Sequence, residues 1–275
     1  MLNAQVDTEE RFRNRAIWGS GAVVVALAVG AFVYYKYFAH PVLPQPVAKP
    51  PVAAPAVDPN APAPIEHPIP LTAGDAKPLP ALNDSDQEIR DSLVGLFGPK
   101  PIEEFLNPQN IVRHVVATID NLPRNRVAVE LRPVKPTTGQ TVVASQGEIM
   151  TLSDENYLRY APFVKLVQAA DTKTFSTVYF RLYPLFQQAY EDLGYPGMYF
   201  NDRLVQVIYD LLAAPEVKGP IQLTQPKVFY QYADPKLESR SAGQKLMIRM
   251  GSANAAIVKA KLRDLRAEIV AKQKQ

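Results

Sequence analysis

The chain has three histidines and no cysteine, which removes thiolate nucleophiles, cysteine-based zinc sites and disulfides at once. His40 and His67 lie in or beside a proline-rich stretch. His114 falls opposite the apolar stripe of its predicted helix and is expected to face solvent. A Ser-His-Asp triad would rest on His114 alone, and no G-x-S-x-G, S-x-x-K, H-E-x-x-H or P-loop pattern occurs. The sequence nominates no catalytic residue, metal ligand or cofactor. What remains is aromatic, carboxylate and guanidinium chemistry. Tyr157, Tyr160, Tyr179, Tyr183, Tyr190, Tyr195, Tyr199 and Tyr209 crowd together, and flat aromatic faces stack on sugars. Core packing accounts for Tyr179 and Tyr190, which lie on an apolar stripe. Tyr195 and Tyr199, in a Pro-Gly loop, are the best exposed. With Asp202 and Arg203 they form a candidate ligand notch. The same stretch also reads as a helix start, with Asn201 as cap, Phe200 and Val205 as a hydrophobic staple, and Asp202 favouring the dipole.

Two further groups carry charge that could do something. Glu238-Ser239 followed by Ala242-Gly243 resembles the Glu-Ser and Ala-Gly elements of lytic transglycosylases, which cleave peptidoglycan with a catalytic Glu. The spacing is too short and the Gly-Leu-Met-Gln block is missing, so Ser239 and Ser241 are read as starting the next helix. Charge is also uneven. Residues 81–235 carry 14 basic and 18 acidic side chains, whereas residues 236–275 carry ten basic against three acidic. Lys259, Arg263 and Arg266 are predicted on the outer side of the last helix, where they either bind an anionic surface or form a solvated face.

The elements that must position these residues are mostly helical. Asp84 or Ser85 caps a stretch with Ile89, Leu93, Leu96 and Phe97 at helical spacing, ended by Gly98. Pro101 opens a short helix, and Asn107-Pro108 opens another with Ile111, Val112, Val115, Val116 and Ile119 on one face. A minor β-like or irregular segment is expected near 126–152. Phe175, Val178, Tyr179, Leu182, Leu185, Phe186, Ala189, Tyr190 and Leu193 then trace one stripe with period near 3.6, with a kink expected at Pro184. Helices over Leu204–Leu212 and Ser241–Met250 follow, and Ala255, Val258, Leu262, Leu265 and Ile269 line the last.

Before this domain come an anchor and a spacer. Ala16–Phe38 is apolar and uncharged until Lys36, about 34 Å long as a helix, and so is read as a single transmembrane helix through a bilayer core of about 30 Å. Trp18 and Tyr34, Tyr35 and Tyr37 stand where interfacial aromatics belong. Arg11, Arg13 and Arg15 place the tail 1–15 in the cytoplasm and send the rest across the membrane. A cleavable signal peptide would have a shorter apolar region and a small-x-small site, which the exit Tyr34–Pro41 lacks. Half of the 26 prolines fall between Pro41 and Pro80, so 39–80 is read as a Pro/Ala-rich disordered linker. The helical globular domain then spans 81–271, and 272–275 is a basic tail end.

Several blocks point to a family. Phe105-Leu106-Asn107 with Ile111-Val112-Arg113, Asn156-Tyr157-Leu158-Arg159-Tyr160, Arg181-Leu182-Tyr183-Pro184-Leu185, Gly194-Tyr195-Pro196 with Phe200-Asn201-Asp202-Arg203-Leu204, and Arg240–Leu246 with Arg249-Met250-Gly251 make residues 82–270 similar to the bacterial domain-of-unknown-function family 3014. The resemblance implies an N-terminal anchor, a proline-rich linker and a soluble domain, and no activity. The expectation is therefore a mostly α, single-pass inner-membrane protein with a periplasmic interaction or scaffolding domain. Its partners would be the bilayer through 16–38 and another envelope protein or cell-wall component, with no nucleic acid. The alternative is a peptidoglycan-binding or peptidoglycan-cleaving protein.

Overall fold

The computed structural model describes residues 64–69, 78–128 and 130–271. The expected tail 1–15, transmembrane helix 16–38, most of the linker and the end 272–275 lie outside the described residues. Among the described residues no helix is long and apolar enough to cross a membrane. A 3₁₀ turn at Leu82–Asp84 leads into α1 (Asp86–Phe97), and Gly98, at φ 80°, turns the chain into α2 (Pro99–Phe105). The cap expected of Ser85 is absent, because its hydroxyl donates back to the Leu82 carbonyl at 2.7 Å. Asp86 instead reaches across the fold. Its two carboxylate oxygens accept the amides of Asn110 and Ile111, both at 2.7 Å, and so cap α3 (Ile111–Asn121).

The predicted stripes are the faces that pack. Ile111, Val112 and Val116 of α3, Leu182, Leu185, Ala189 and Tyr190 of α5 (Thr172–Asp192), and Phe200, Val205 and Ile208 of α6 (Phe200–Leu212) share one core. Ile269, Leu262 and Leu265 of α9 (Ser252–Ala271) close it, so the last helix docks through the apolar positions its sequence marks. Pro184 does not interrupt α5, which runs unbroken over 21 residues. His114 departs from expectation: it is half-buried, and its Nδ1 is enclosed without a hydrogen-bond partner.

The segment near 126–152 resolves into a hairpin, β1 (Val143–Gln146) and β2 (Ile149–Leu152). It belongs to a larger unit that the sequence reading missed. With β3 (Gln222–Thr224) and β4 (Gln231–Tyr232) it forms a four-stranded antiparallel sheet in the order β1-β2-β3-β4. Leu152, Leu223, Tyr232 and Ile221 of this sheet pack on Ile248 of α8 (Ala242–Arg249), forming a second, smaller core. The helix α4 (Glu155–Ala169) follows the hairpin, and the one-turn helix α7 (Pro235–Glu238) follows β4. Gly251 joins α8 to α9 at φ 83°, where an added Cβ would lie 2.7 Å from the Tyr157 ring, so both conformation and space require glycine.

Candidate functional site

Tyr195, Tyr199, Asp202 and Arg203 do not form one notch. They divide between two sites on either side of the α6 N-terminus. Tyr199 is the helix cap position, and Asp202 lies in the first turn. Asp202 faces residues 64–69, a strap from within the expected linker. Its Oδ2 accepts the Glu66 amide at 3.1 Å and its Oδ1 the His67 amide at 2.6 Å. The Tyr199 hydroxyl accepts the Ile69 amide at 3.3 Å. Asn201, fully buried, donates from Nδ2 to the His67 carbonyl at 2.8 Å and accepts the Tyr179 hydroxyl proton at 2.9 Å. The strap finishes with Ile69, whose side chain is 6% exposed and enters the main core.

Two expectations are corrected here. Residues 64–69 lie against the domain rather than forming part of a free linker. Asn201 is not the helix cap but a buried bridge between the strap and α5. Below it, the Tyr183 hydroxyl donates to Gln187 at 2.8 Å and accepts the Asn201 amide, while the Tyr199 ring packs 5.5 Å from the Tyr183 ring. Burial pushes the Tyr179 and Tyr183 hydroxyls well above the usual phenol range, so both are neutral donors. The notch thus presents the Asp202 carboxylate, the Asn201 amide and the Tyr199 hydroxyl to a peptide backbone.

Arg203, the next residue along α6, turns to the opposite side and meets Asp120 of α3. Its Nε donates to Asp120 Oδ1 at 3.0 Å, its Nη2 to the Asp120 carbonyl at 2.7 Å, and its Nη1 to Gln206 at 2.6 Å. Arg124 and the Tyr195 hydroxyl both donate to Asp120 Oδ2, at 2.7 and 3.2 Å. The Tyr195 ring stacks on Tyr190 at 4.6 Å. The Asp120 side chain is 3% exposed. A buried carboxylate held by two guanidiniums and a phenol is a structural node, and Tyr195 is therefore not a free stacking face. Asp120 was missed in the sequence, although Arg124 four residues later was a readable signal.

Among the other nominated residues, Lys259 and Arg266 also find structural partners. Lys259 does not face out with Arg263 and Arg266. It is 8% exposed, and its ammonium donates at 2.6 Å to the carbonyl of Ala214, just past the end of α6. A cation is favoured there by the unsatisfied carbonyls of a helix C-terminus. Arg263 is exposed, and Arg266 lays its guanidinium 4.8 Å over the ring of Tyr209. Glu238 accepts the Tyr232 amide at 3.0 Å and the Lys245 ammonium at 3.1 Å, so both its oxygens are engaged in the fold. Ser241 caps α8 as expected, accepting the Gln244 amide at 3.0 Å while donating to Asp210 at 2.7 Å. A pocket of about 40 Å³ beside Tyr157, Gly251 and Lys259 has room for a few waters. Among the described residues no group of three or more His, Cys, Asp or Glu could hold a metal ion.

Residues 111–266 match the model of the family described as "Protein of unknown function (DUF3014)". No match is found among curated proteins or among solved structures. The matched stretch runs from the start of α3 into α9 and includes both the Asp120 node and the Tyr199–Asn201–Asp202 notch, while the strap precedes it. The family resemblance seen in the sequence over 82–270 thus rests on a match to more than half of the chain, and the protein belongs to the DUF3014 family.

Proposed function

We propose that this chain is a single-pass protein of the bacterial inner membrane, with a cytoplasmic N-terminus, a proline-rich tether and a periplasmic domain that binds other envelope components without catalysis. The anchor and orientation rest on residues 16–38 and on Arg11, Arg13 and Arg15. One observation carries the non-catalytic reading. Among the described residues, five buried or part-buried carboxylates are each engaged through both oxygens, Asp86, Asp120, Asp202, Asp210 and Glu238, and Glu88 is paired with Arg181 at 2.7 Å. A general acid needs a carboxyl free to take and release a proton at the substrate, and these sites supply none. The notch that holds the strap, by contrast, shows a mode of binding: main-chain amides captured by Asp202 and Tyr199, with a carbonyl held by Asn201.

The test has two arms. Protease added to spheroplasts is expected to digest the domain and leave the N-terminus protected, and protection of the domain would overturn the orientation. Purified chain incubated with peptidoglycan is expected to release no soluble fragments, while affinity capture from envelope extracts recovers specific partners. Fragment release that is lost in Glu238→Gln would replace this reading with a peptidoglycan-cleaving one.

A further inference from the structure

Lys259 carries into the domain a charge that the chain itself only partly answers. It is 8% exposed, and its ammonium has three N–H donors. One goes to the Ala214 carbonyl at 2.6 Å, and among the described residues no second acceptor and no carboxylate meets the other two. Lys259 and Ala214 both line the pocket of about 40 Å³ beside the start of α9. Ala255 and Ala256, four and three residues before Lys259 on the same helix face, leave room that larger side chains would fill. Met247 and Ile248 of α8 make the facing wall apolar. Among the described residues Glu216 is the one carboxylate on the wall, and it is exposed and forms no ion pair with Lys259.

We propose that this pocket binds a carboxylate that bears a small apolar group, with Lys259 as its cationic partner. A buried charge met by one neutral acceptor is incompletely compensated. A carboxylate supplies the opposite charge and acceptor oxygens for both remaining N–H groups, and such charge-assisted bonds are the strong ones. The bond to Ala214 already holds the ammonium in place, so binding does not have to order a long flexible side chain. Size points the same way. At about 10–15 Å³ per water, 40 Å³ takes roughly three heavy atoms, the number in a carboxylate and too few for a phosphate. The apolar wall keeps water from the pair, which strengthens it, and accepts the ligand's apolar group. A free short-chain acid and the C-terminus of a peptide ending in a small residue share this chemistry. Every residue of the site belongs to the domain, so the proposal stands apart from the membrane anchor and its orientation.

The chain has five methionines, and carbon-13 labelling of their methyl groups in the full-length protein supplies the test. Met247 lines the pocket, whereas Met198, exposed in the loop before α6, does not. Titration with propionate or with N-acetyl-alanyl-alanine is expected to shift the Met247 methyl signal saturably and to leave Met198 in place. N-acetyl-alanyl-alanine amide, and sodium chloride at the same ionic strength, should move neither. Saturation at lower concentration by propionate identifies a free acid, and by the dipeptide the end of a peptide chain. Lys259→Met should weaken binding by about tenfold or more, as loss of hydrogen bonds from a charged group does. Glu216→Gln, at an exposed position, should tighten it by removing a like charge from the rim. An amide or chloride that acts as strongly as the acid would overturn the proposal, as would a Met247 signal that never moves or an unchanged affinity in Lys259→Met. If Lys259→Met does not fold, Glu216→Gln and the comparison of acid with amide decide the matter.

Discussion

Asp202 and Arg203 are neighbours in the chain and opposites in the fold. Successive residues on a helix point about 100° apart, so one faces the strap and the other the α3–α6 interface. Arg203 of α6 joins Asp120 of α3 in a node whose carboxylate is 3% exposed, completed by Arg124 and Tyr195 from the loops that follow α3 and α5. Asp202 binds two peptide amides of a segment whose other side is open to solvent. The same functional group, a carboxylate accepting several N–H donors, makes a joint buried in the domain in one place and a joint to a surface strap in the other. The difference is what lies behind the donors. In the node they are side chains, Arg203 on α6 and Tyr195 stacked on Tyr190 of α5 among them, and in the notch they are the backbone of a strap whose described residues include one buried side chain, Ile69.

The largest effect should come from breaking the node. Asp120→Ala leaves Arg203, only 20% exposed at its side chain, without its partner, and loss of a buried pair member typically costs about 3–5 kcal/mol. Arg124→Ala removes a guanidinium that is 53% exposed, and should cost no more than about 1 kcal/mol. Urea unfolding of the two variants measures both. Equal losses would mean that the node is not anchored by Arg203 and that the comparison misplaces its centre.

Breaking the notch should be weaker globally and visible locally. Ile69→Ala removes an apolar anchor in the range of about 2–4 kcal/mol for core sites, but the strap can leave without opening the helices. The expected result is rapid proteolysis at 64–69 and fast exchange of the Glu66 and His67 amides, with the unfolding midpoint of the domain moved little. A midpoint shift as large as that of Asp120→Ala would show that the strap is an integral part of the core.

These two sites mark the limits of what was legible in the sequence. The helix stripes were legible because Val116, Tyr190, Val205 and Ile269 sit at a period that a packed face demands, and the family blocks run through them. The strands β3 and β4 have three and two residues, too few to show alternation. The strap was hidden by composition, because Pro68 and the prolines around it read as linker, and its hydrogen bonds run through backbone groups that no side-chain pattern reveals. Asn201 was read as a local cap, but its side chain is used across the fold by Tyr179 and His67. Asp202 and Arg203 were singled out together as a ligand notch, and the structure places them at two separate contacts. Their grouping failed because pairing by sequence adjacency ignores the angle between successive helix positions.

The floor of the notch makes the comparison depend on pH. Tyr183 has its hydroxyl pKa raised by burial first and by Tyr199 second, with the Asn201 amide bond opposing. In the unfolded chain a tyrosine titrates near 10. Because the folded value is higher, the folded state binds the proton more tightly, so the stabilisation is complete below about pH 10 and is lost as pH rises above it. Stability measured in urea should therefore be flat at neutral pH and fall above pH 10. In Tyr183→Phe the fall should be shallower, offset by about 1 kcal/mol lost at neutral pH with the hydroxyl's hydrogen bonds. Tyr179, also raised, leaves a residual slope. An unchanged alkaline slope in Tyr183→Phe would remove this tyrosine from the pH response.

The smallest effects are expected on α9, where the same contrast recurs among cations. Lys259 is buried against the Ala214 carbonyl, Arg266 covers Tyr209, and Arg263 is exposed. An exposed cation–π contact contributes about 0.5–1 kcal/mol, so Arg266→Ala should lower stability by that much. Tyr209→Ala should make the Arg266 substitution silent, since their interaction would already be gone. Arg263→Glu should change stability by less than about 0.5 kcal/mol, as surface substitutions away from packed features do. Binding to anionic vesicles gives these two arginines their remaining test. Charge reversal at both should abolish any binding, because attraction between an exposed cation and an anionic surface is electrostatic and weakened by salt. Binding that survives the double reversal would take the α9 face out of contention as the anionic contact.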